Sequence, residues 1–307
     1  MSISVVFSSL STLFTLLILG YVSAKFKLVE QSFLSPLSHF LLNIVFPLKI
    51  FTSIIQPFDS SMIVNIITIM ALQLIIFIGS HLFGLLLVKI FKVPPKQKGV
   101  WLYATTFPNA AFMGFPILLA LFGTEGLFYG SITNIIFNIY SFTIGIYMIK
   151  EREPDEKINP KEILLNPVNI AVLIGLIFFV TETSLPPTLS EALTTFGDMS
   201  TPLSMFILGG TLARLPIKNT ILSKNAYIIN IFRLLILPTI TYVILSHLPI
   251  DILLIEIIFL ITAMPCATLT LILNEQYDGD TDFAASTVFL SNLLCMITIP
   301  ILLSIVF

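Results

Sequence analysis

Two stretches of this 307-residue chain carry residue types that can bind a ligand inside otherwise apolar sequence. The first is Thr105-Thr106-Phe107-Pro108-Asn109-Ala110-Ala111-Phe112-Met113-Gly114, and the second is Ile261-Thr262-Ala263-Met264-Pro265-Cys266-Ala267-Thr268-Leu269-Thr270. Proline lacks a backbone N–H and its ring clashes with the preceding turn, so Pro108 and Pro265 should each break a helix. Pro108 should free a carbonyl near Ala104. In lipid such a carbonyl must be satisfied by protein, water or a ligand. Asn109 is a good N-cap and offers both a donor and an acceptor. Half-helices restarting at Asn109 and around Ala267 would present partly positive N-termini with unsatisfied N–H groups. Two such ends aimed at one point suit an anion or a carboxylate. One proline alone is a plain kink; a second break in the same setting makes a candidate site.

Other polar residues can be placed around the breaks. Asn43 lies one turn before Pro47, and Asn134, Asn138 and Ser141 share one helical face at i, i+4, i+7. Ser291 and Asn292 hold nearly corresponding positions near the C-terminus. Stripes of this kind also hold helices together, and Ser8, Thr12 and Thr15 are read as close packing. The candidate substrate-binding set is therefore Pro108, Asn109, Pro265, Cys266 and Thr268 at the breaks, with Asn43, Asn134 and Asn138 around them.

Intramembrane charge is scarce. Lys49 and Glu256 are expected at similar depth toward the outer side, with their pairing open, and Arg233 is within snorkelling reach of the cytoplasmic surface. No carboxylate adjoins either break, so no central proton-carrying Asp is visible. His39, His81 and His247 share no motif, and Cys266 and Cys295 have neither metal nor disulfide spacing. No cofactor is expected; a coupling ion, sodium or proton, is left open. Tyr277-Asp278-Gly279-Asp280 superficially resembles an intramembrane aspartyl protease motif but falls in a loop without a second membrane aspartate. With no nucleophile–base or metal cluster, an enzyme is not expected.

Composition sets the elements that must hold these residues. The chain is 56% hydrophobic and 10% charged, with mean hydropathy +1.02, far from the balance of a soluble domain. No basic stripe with interleaved aromatics suggests nucleic acid. A spanning helix needs ~20 mostly apolar residues. Ten segments qualify, at about 4–24, 33–54, 62–90, 98–122, 125–149, 165–181, 186–212, 226–247, 251–274 and 282–306. No Lys or Arg precedes the first, so residues 1–24 are expected as a retained span rather than a secretory signal.

Lys25 and Lys27, Lys89 to Lys98, Lys150 to Lys161, and Arg214 to Lys224 all fall in alternate loops. The loops around Asp59, Gly123, Glu182 and Asp251 carry no basic residue. The positive-inside rule then puts the basic loops in the cytoplasm and both termini outside a plasma membrane. The acidic loop Glu275 to Asp282 dissents, but acidic residues weigh little in that rule.

The hydrophilic linker Glu151 to Glu162 divides the spans five and five, giving residues 1–150, 151–162 and 163–307. An odd number of spans per half inverts the second half, and an inverted repeat leaves traces. Ser35-Pro36-Leu37-Ser38 answers to Thr201-Pro202-Leu203-Ser204, Phe128-Tyr129-Gly130-Ser131 to Phe283-Ala284-Ala285-Ser286, and Pro108 to Pro265.

With Phe46-Pro47-Leu48-Lys49-Ile50-Phe51, Asn109 to Pro116, Pro202 to Leu212 and Met264-Pro265-Cys266-Ala267-Thr268 in this order, the chain resembles the auxin efflux carrier family. It is similar to the prokaryotic members related to plant PIN-type carriers, over essentially its whole length. The resemblance implies an all-α membrane protein of ten transmembrane helices in two inverted five-helix repeats, with crossing broken helices in spans four and nine. Bile-acid/sodium symporters and sodium/proton antiporters are similar in this respect. Each repeat would divide into a scaffold part and a transport part, and the substrates would be organic anions such as auxin, malate or malonate.

Two departures limit the transfer. The central loop is short, so no regulatory phosphorylation region carries over. Cys266 stands where the first break has Asn109, so the breaks hold no symmetric pair of asparagines. The expected protein is a secondary carrier of a small organic anion, working by alternating access. Its expected partners are that anion and the bilayer, with a homodimer left open. The rivals are an anion-conducting channel and, further off, a membrane-embedded enzyme.

Overall fold

The computed structural model describes residues 3–55, 63–150, 165, 167–213 and 223–306. The loop around Asp59, the Glu151–Glu162 linker and the basic segment with Arg214 and Lys218 lie outside the described residues. The described chain is helical, and its single extended pairing is an isolated antiparallel bridge between Pro108 and Cys266. Five helices are long and apolar enough to cross a membrane: Ser32–Thr52, Ile63–Ile90, Phe128–Ile149, Lys224–Leu245 and Thr281–Val306. A sixth long helix, Ile3–Lys25, contains the shorter apolar run Ser11–Lys25.

The other predicted spans are shorter or interrupted. The segment predicted at 165–181 is the 14-residue helix Pro167–Val180. The segment predicted as continuous over 186–212 is two helices, Pro187–Gly197 and Ser200–Leu212, parted at Asp198. Segments four and nine break as the prolines require. Pro95–Thr106 is followed by a π-turn at Ala110–Gly114, and Ile252–Ala263 is followed by Leu269–Gln276. The helical stretch Phe115–Tyr140 kinks at Gly123, whose φ of 64° suits a residue without Cβ. It folds back there: a Cβ at Gly130 would lie 2.4 Å from Leu118 Cδ1, a contact impossible along one straight helix.

Three of the four π-turns among the described residues, Leu41–Val45, Ala110–Gly114 and Phe232–Ile236, each end two residues before a proline, Pro47, Pro116 and Pro238; the fourth, Ser141–Gly145, does not. A proline removes an i→i−4 bond and crowds the carbonyl behind it. A widened turn just before it relieves that conflict without ending the helix.

Packing interleaves the two halves. Ile3–Lys25 lies against Ser200–Leu212, while Phe46–Ile54 packs on Pro167–Val180 and Pro187–Gly197. The first contact is backbone to backbone, since a Cβ on Gly209 would fall 1.9 Å from Leu17 O and one on Gly20 would fall 2.2 Å from Phe206 O. Thr12 and Thr15, expected to pack, are exposed; the buried stripe of that helix is Leu13, Leu17 and Gly20. A second group gathers around the two broken segments: Ile63–Ile90, Phe115–Tyr140, Lys224–Leu245 and Thr281–Val306.

Candidate functional site

The two breaks meet. Phe107-Pro108-Asn109 runs antiparallel to Pro265-Cys266-Ala267, with Asn109 N donating to Pro265 O at 2.7 Å and Ala267 N donating to Phe107 O at 2.9 Å. Each strand thus satisfies a backbone carbonyl left open at the other's break. The register sets Cys266 opposite Pro108, one residue off the alignment of the two prolines. That offset has a physical logic: Pro108 has no N–H to satisfy, and the Cys266 N–H across from it donates to Ser291 Oγ at 2.9 Å.

Asn109 holds the N-cap position of the π-turn, yet its side chain makes no cap bond there. Its Nδ2 instead donates across the crossover to Thr268 Oγ1 at 3.1 Å. Thr268 is in turn the N-cap residue of Leu269–Gln276, so the second half-helix starts slightly later than Ala267. Pro108, Asn109, Pro265, Cys266 and Thr268 are therefore one cluster, and Asn109, Cys266 and Thr268 are buried.

Asn134 and Asn138 lie on Phe115–Tyr140, the helix whose Phe137 lines the cavity at the crossover. Ser141, one turn beyond Asn138 on their shared face, bonds to the Tyr103 hydroxyl at 2.5 Å, and Phe137 packs on Phe107 with ring centroids 5.6 Å apart. That face thus turns toward Pro95–Thr106. Asn134 Oδ1 and both amide atoms of Asn138 are buried without a protein partner, as are Thr105 Oγ1 and Thr270 Oγ1 beside the breaks. Buried amides and hydroxyls are normally paired, and these are left unpaired by the rest of the described protein.

Asn43 does not join the cluster. It is exposed, and its amide turns back onto His39 O at 2.8 Å. Lys49 pairs with Asp198 at 2.6 Å and not with Glu256, because the break between Gly197 and Ser200 brings that carboxylate onto the Lys49 helix.

The largest departure from expectation is Arg233. Its side chain does not snorkel to a surface; it is 1% exposed and reaches the crossover from the π-turn Phe232–Ile236. Nε donates to Met264 O at 3.3 Å, Nη1 to Thr105 O at 3.2 Å and Nη2 to Thr262 O at 3.0 Å. These are carbonyls released where the two helices stop, and Thr105 lies one residue past the expected Ala104. A signal for this was present: an arginine well inside an apolar span needs acceptors, and the breaks were where unsatisfied acceptors lay.

A cavity of ≈ 10 Å³, room for about one water, lies at the crossover between Phe46, Pro108, Asn109, Phe137, Ala267 and Leu269. A second, open cleft of ≈ 650 Å³ lies where Pro95–Thr106 begins, with Lys96, Lys98, Lys150 and His81 on its walls. In the acidic loop, Asp280 Oδ1 accepts from Phe283 N at 3.1 Å, which makes it a helix cap. Among the described residues no cluster of His, Cys, Asp or Glu could hold a metal ion.

The profile of the membrane transport protein family matches residues 5–303, nearly the whole chain. The chain belongs to this family. It is the auxin efflux carrier family that the motifs resemble. Two relatives cover the same length. An uncharacterized transporter of Methanocaldococcus jannaschii is 24% identical over 93% of this chain and 94% of its own. One of Methanothermobacter thermautotrophicus is 25% identical over 93% of each. As a membrane transport protein with several apolar helices, the chain is a multi-pass membrane protein.

Proposed function

We propose that the protein is a secondary carrier that moves a small organic anion, a carboxylate, by alternating access around the crossed breaks. The observation that carries this reading is the reciprocal pairing of Asn109 with Pro265 and of Ala267 with Phe107. It brings two half-helix N-termini together, where partial positive charge and N–H groups favour an anion. Asn109 and Thr268 supply polar side-chain atoms at that point, and the buried, unpaired amide atoms of Asn134 and Asn138 on a third helix would add to the site.

A carrier is favoured over a channel because the space at the crossover holds about one water, whereas a pore needs a continuous polar path. The two packing groups give the reading its moving parts. The group containing Ile3–Lys25 and Ser200–Leu212 would be the scaffold, and the group around the breaks would rock against it. Ten spans in two inverted repeats, with both termini outside the plasma membrane and the lysine-lined cleft as the cytoplasmic entrance, complete the proposal. No catalytic step is assigned.

The test is uptake of labelled mono- and dicarboxylates into proteoliposomes. Saturable flux that shows counterflow supports the carrier. Linear flux without counterflow favours a channel, and no flux with any carboxylate removes the substrate class.

A further inference from the structure

Broken-helix carriers can coordinate a coupling cation with the carbonyls freed at their breaks. In this chain those carbonyls already have a partner. Thr105 and Thr262 are each the third residue before their proline, one on each half-helix, and the carbonyl oxygens of both accept from the Arg233 guanidinium. Met264 O, immediately before Pro265, is the third acceptor. We infer that Arg233 is a resident cation: it fills the carbonyl-lined position that a coupling sodium ion would take, so the anion moves without a metal cation co-bound at the crossover. That the cargo is an anion rests on the carrier reading above; the role of Arg233 does not.

The electrostatics fit one guanidinium. A helix C-terminus carries roughly −0.5 elementary charge, so two of them present about one negative charge. Pro95–Thr106 and Ile252–Ala263 end within reach of Arg233, which supplies one positive charge. Among the described residues the ion pair present is Lys49–Asp198, so carbonyl dipoles and not a carboxylate balance the buried arginine. Carbonyl oxygens are also what a hard cation would use as ligands. Unlike sodium, the guanidinium is tethered and stays charged at physiological pH. It cannot be released on either side of the membrane. With the negative ends neutralised from within the chain, the two N-termini remain as the open positive pole.

The test needs no substrate. The full-length protein in detergent is melted in choline, potassium and sodium chloride at equal ionic strength. The midpoint of the wild-type protein should be the same in all three. Arg233→Met, which leaves the carbonyls without a cation, should melt lower in choline and recover part of the loss in sodium or potassium. Arg233→Lys should restore a midpoint that ignores the salt. A sodium-specific rise in the wild-type or Arg233→Lys protein overturns the inference. So does an Arg233→Met protein that melts unchanged, or that is weakened without any response to cations. If Arg233→Met yields no folded protein, the other two arms decide. Melting that supports the inference, beside liposomes that transport no carboxylate, would discard the substrate class and leave the role of Arg233 standing.

Discussion

Asn109 and Thr268 lie 159 positions apart, and the Asn109 amide donates to the Thr268 hydroxyl at 3.1 Å inside a buried crossover. The bond joins the N-cap residue of one half-helix to that of the other. Asn109→Ala should weaken carboxylate binding by roughly 1–3 kcal/mol, the usual result of leaving a buried polar partner unmatched. Insertion and yield should be normal, since no charge or bulk is added. In a double-mutant cycle with Thr268→Val the two losses should be non-additive by about 0.5–3 kcal/mol. Unchanged affinity in a folded Asn109→Ala protein would move the site elsewhere.

The contact of Gly209 with Leu17 leaves no room for a side chain. Gly209→Ala should part the two helices and cost about 1–3 kcal/mol or more, read as a lowered melting midpoint in detergent. Thr12→Ala, on the exposed face of the same helix, should stay within about 0.5 kcal/mol of wild type.

Lys49 and Asp198 are 29% and 56% exposed, so their ion pair should matter little. Lys49→Met and Asp198→Asn should each change stability by less than about 1 kcal/mol. Neither should be coupled to Glu256→Gln. A clear interaction energy between Lys49 and Glu256 would contradict the pairing.

The basic loops should lie in the cytoplasm. A cysteine placed at Asn159 should escape an impermeant thiol reagent added to intact cells and react after lysis. Cys266 and Cys295 are buried and should not contribute background. Efficient labelling from outside would reverse the orientation and remove the inverted-repeat reading.

An anion carried without a co-bound cation moves net charge. An inside-negative potential then drives it outward by ~2.3 kcal/mol per 100 mV. Flux in proteoliposomes should follow an imposed potassium-diffusion potential and ignore sodium and proton gradients. Flux indifferent to the potential would point to electroneutral exchange.

What was legible in the chain by itself follows from local rules. Apolar runs long enough to span, prolines at Pro108 and Pro265, and an asparagine able to cap all act within a few residues of themselves. Both breaks and most helix limits could therefore be read off the order of residues. So could the face shared by Asn134 and Asn138, because helical periodicity is local. What only the tertiary structure decided involves groups far apart in sequence. The register that sets Cys266 against Pro108 is chosen by which N–H groups need partners, and Ser291 settles that from another helix. Asn43 has the same side chain as Asn109 and lies in a comparable apolar run, but the rotation of its π-turn leaves it on the outer face. Lys49 found Asp198 because a helix ended there, which apolar composition did not signal. Arg233 is the sharpest case. Depth in its own helix allowed it to reach the surface, but burial between two helix ends, each with carbonyls to satisfy, turned it inward. A buried charge goes where its hydrogen bonds are, and those acceptors are assembled only when the chain has folded.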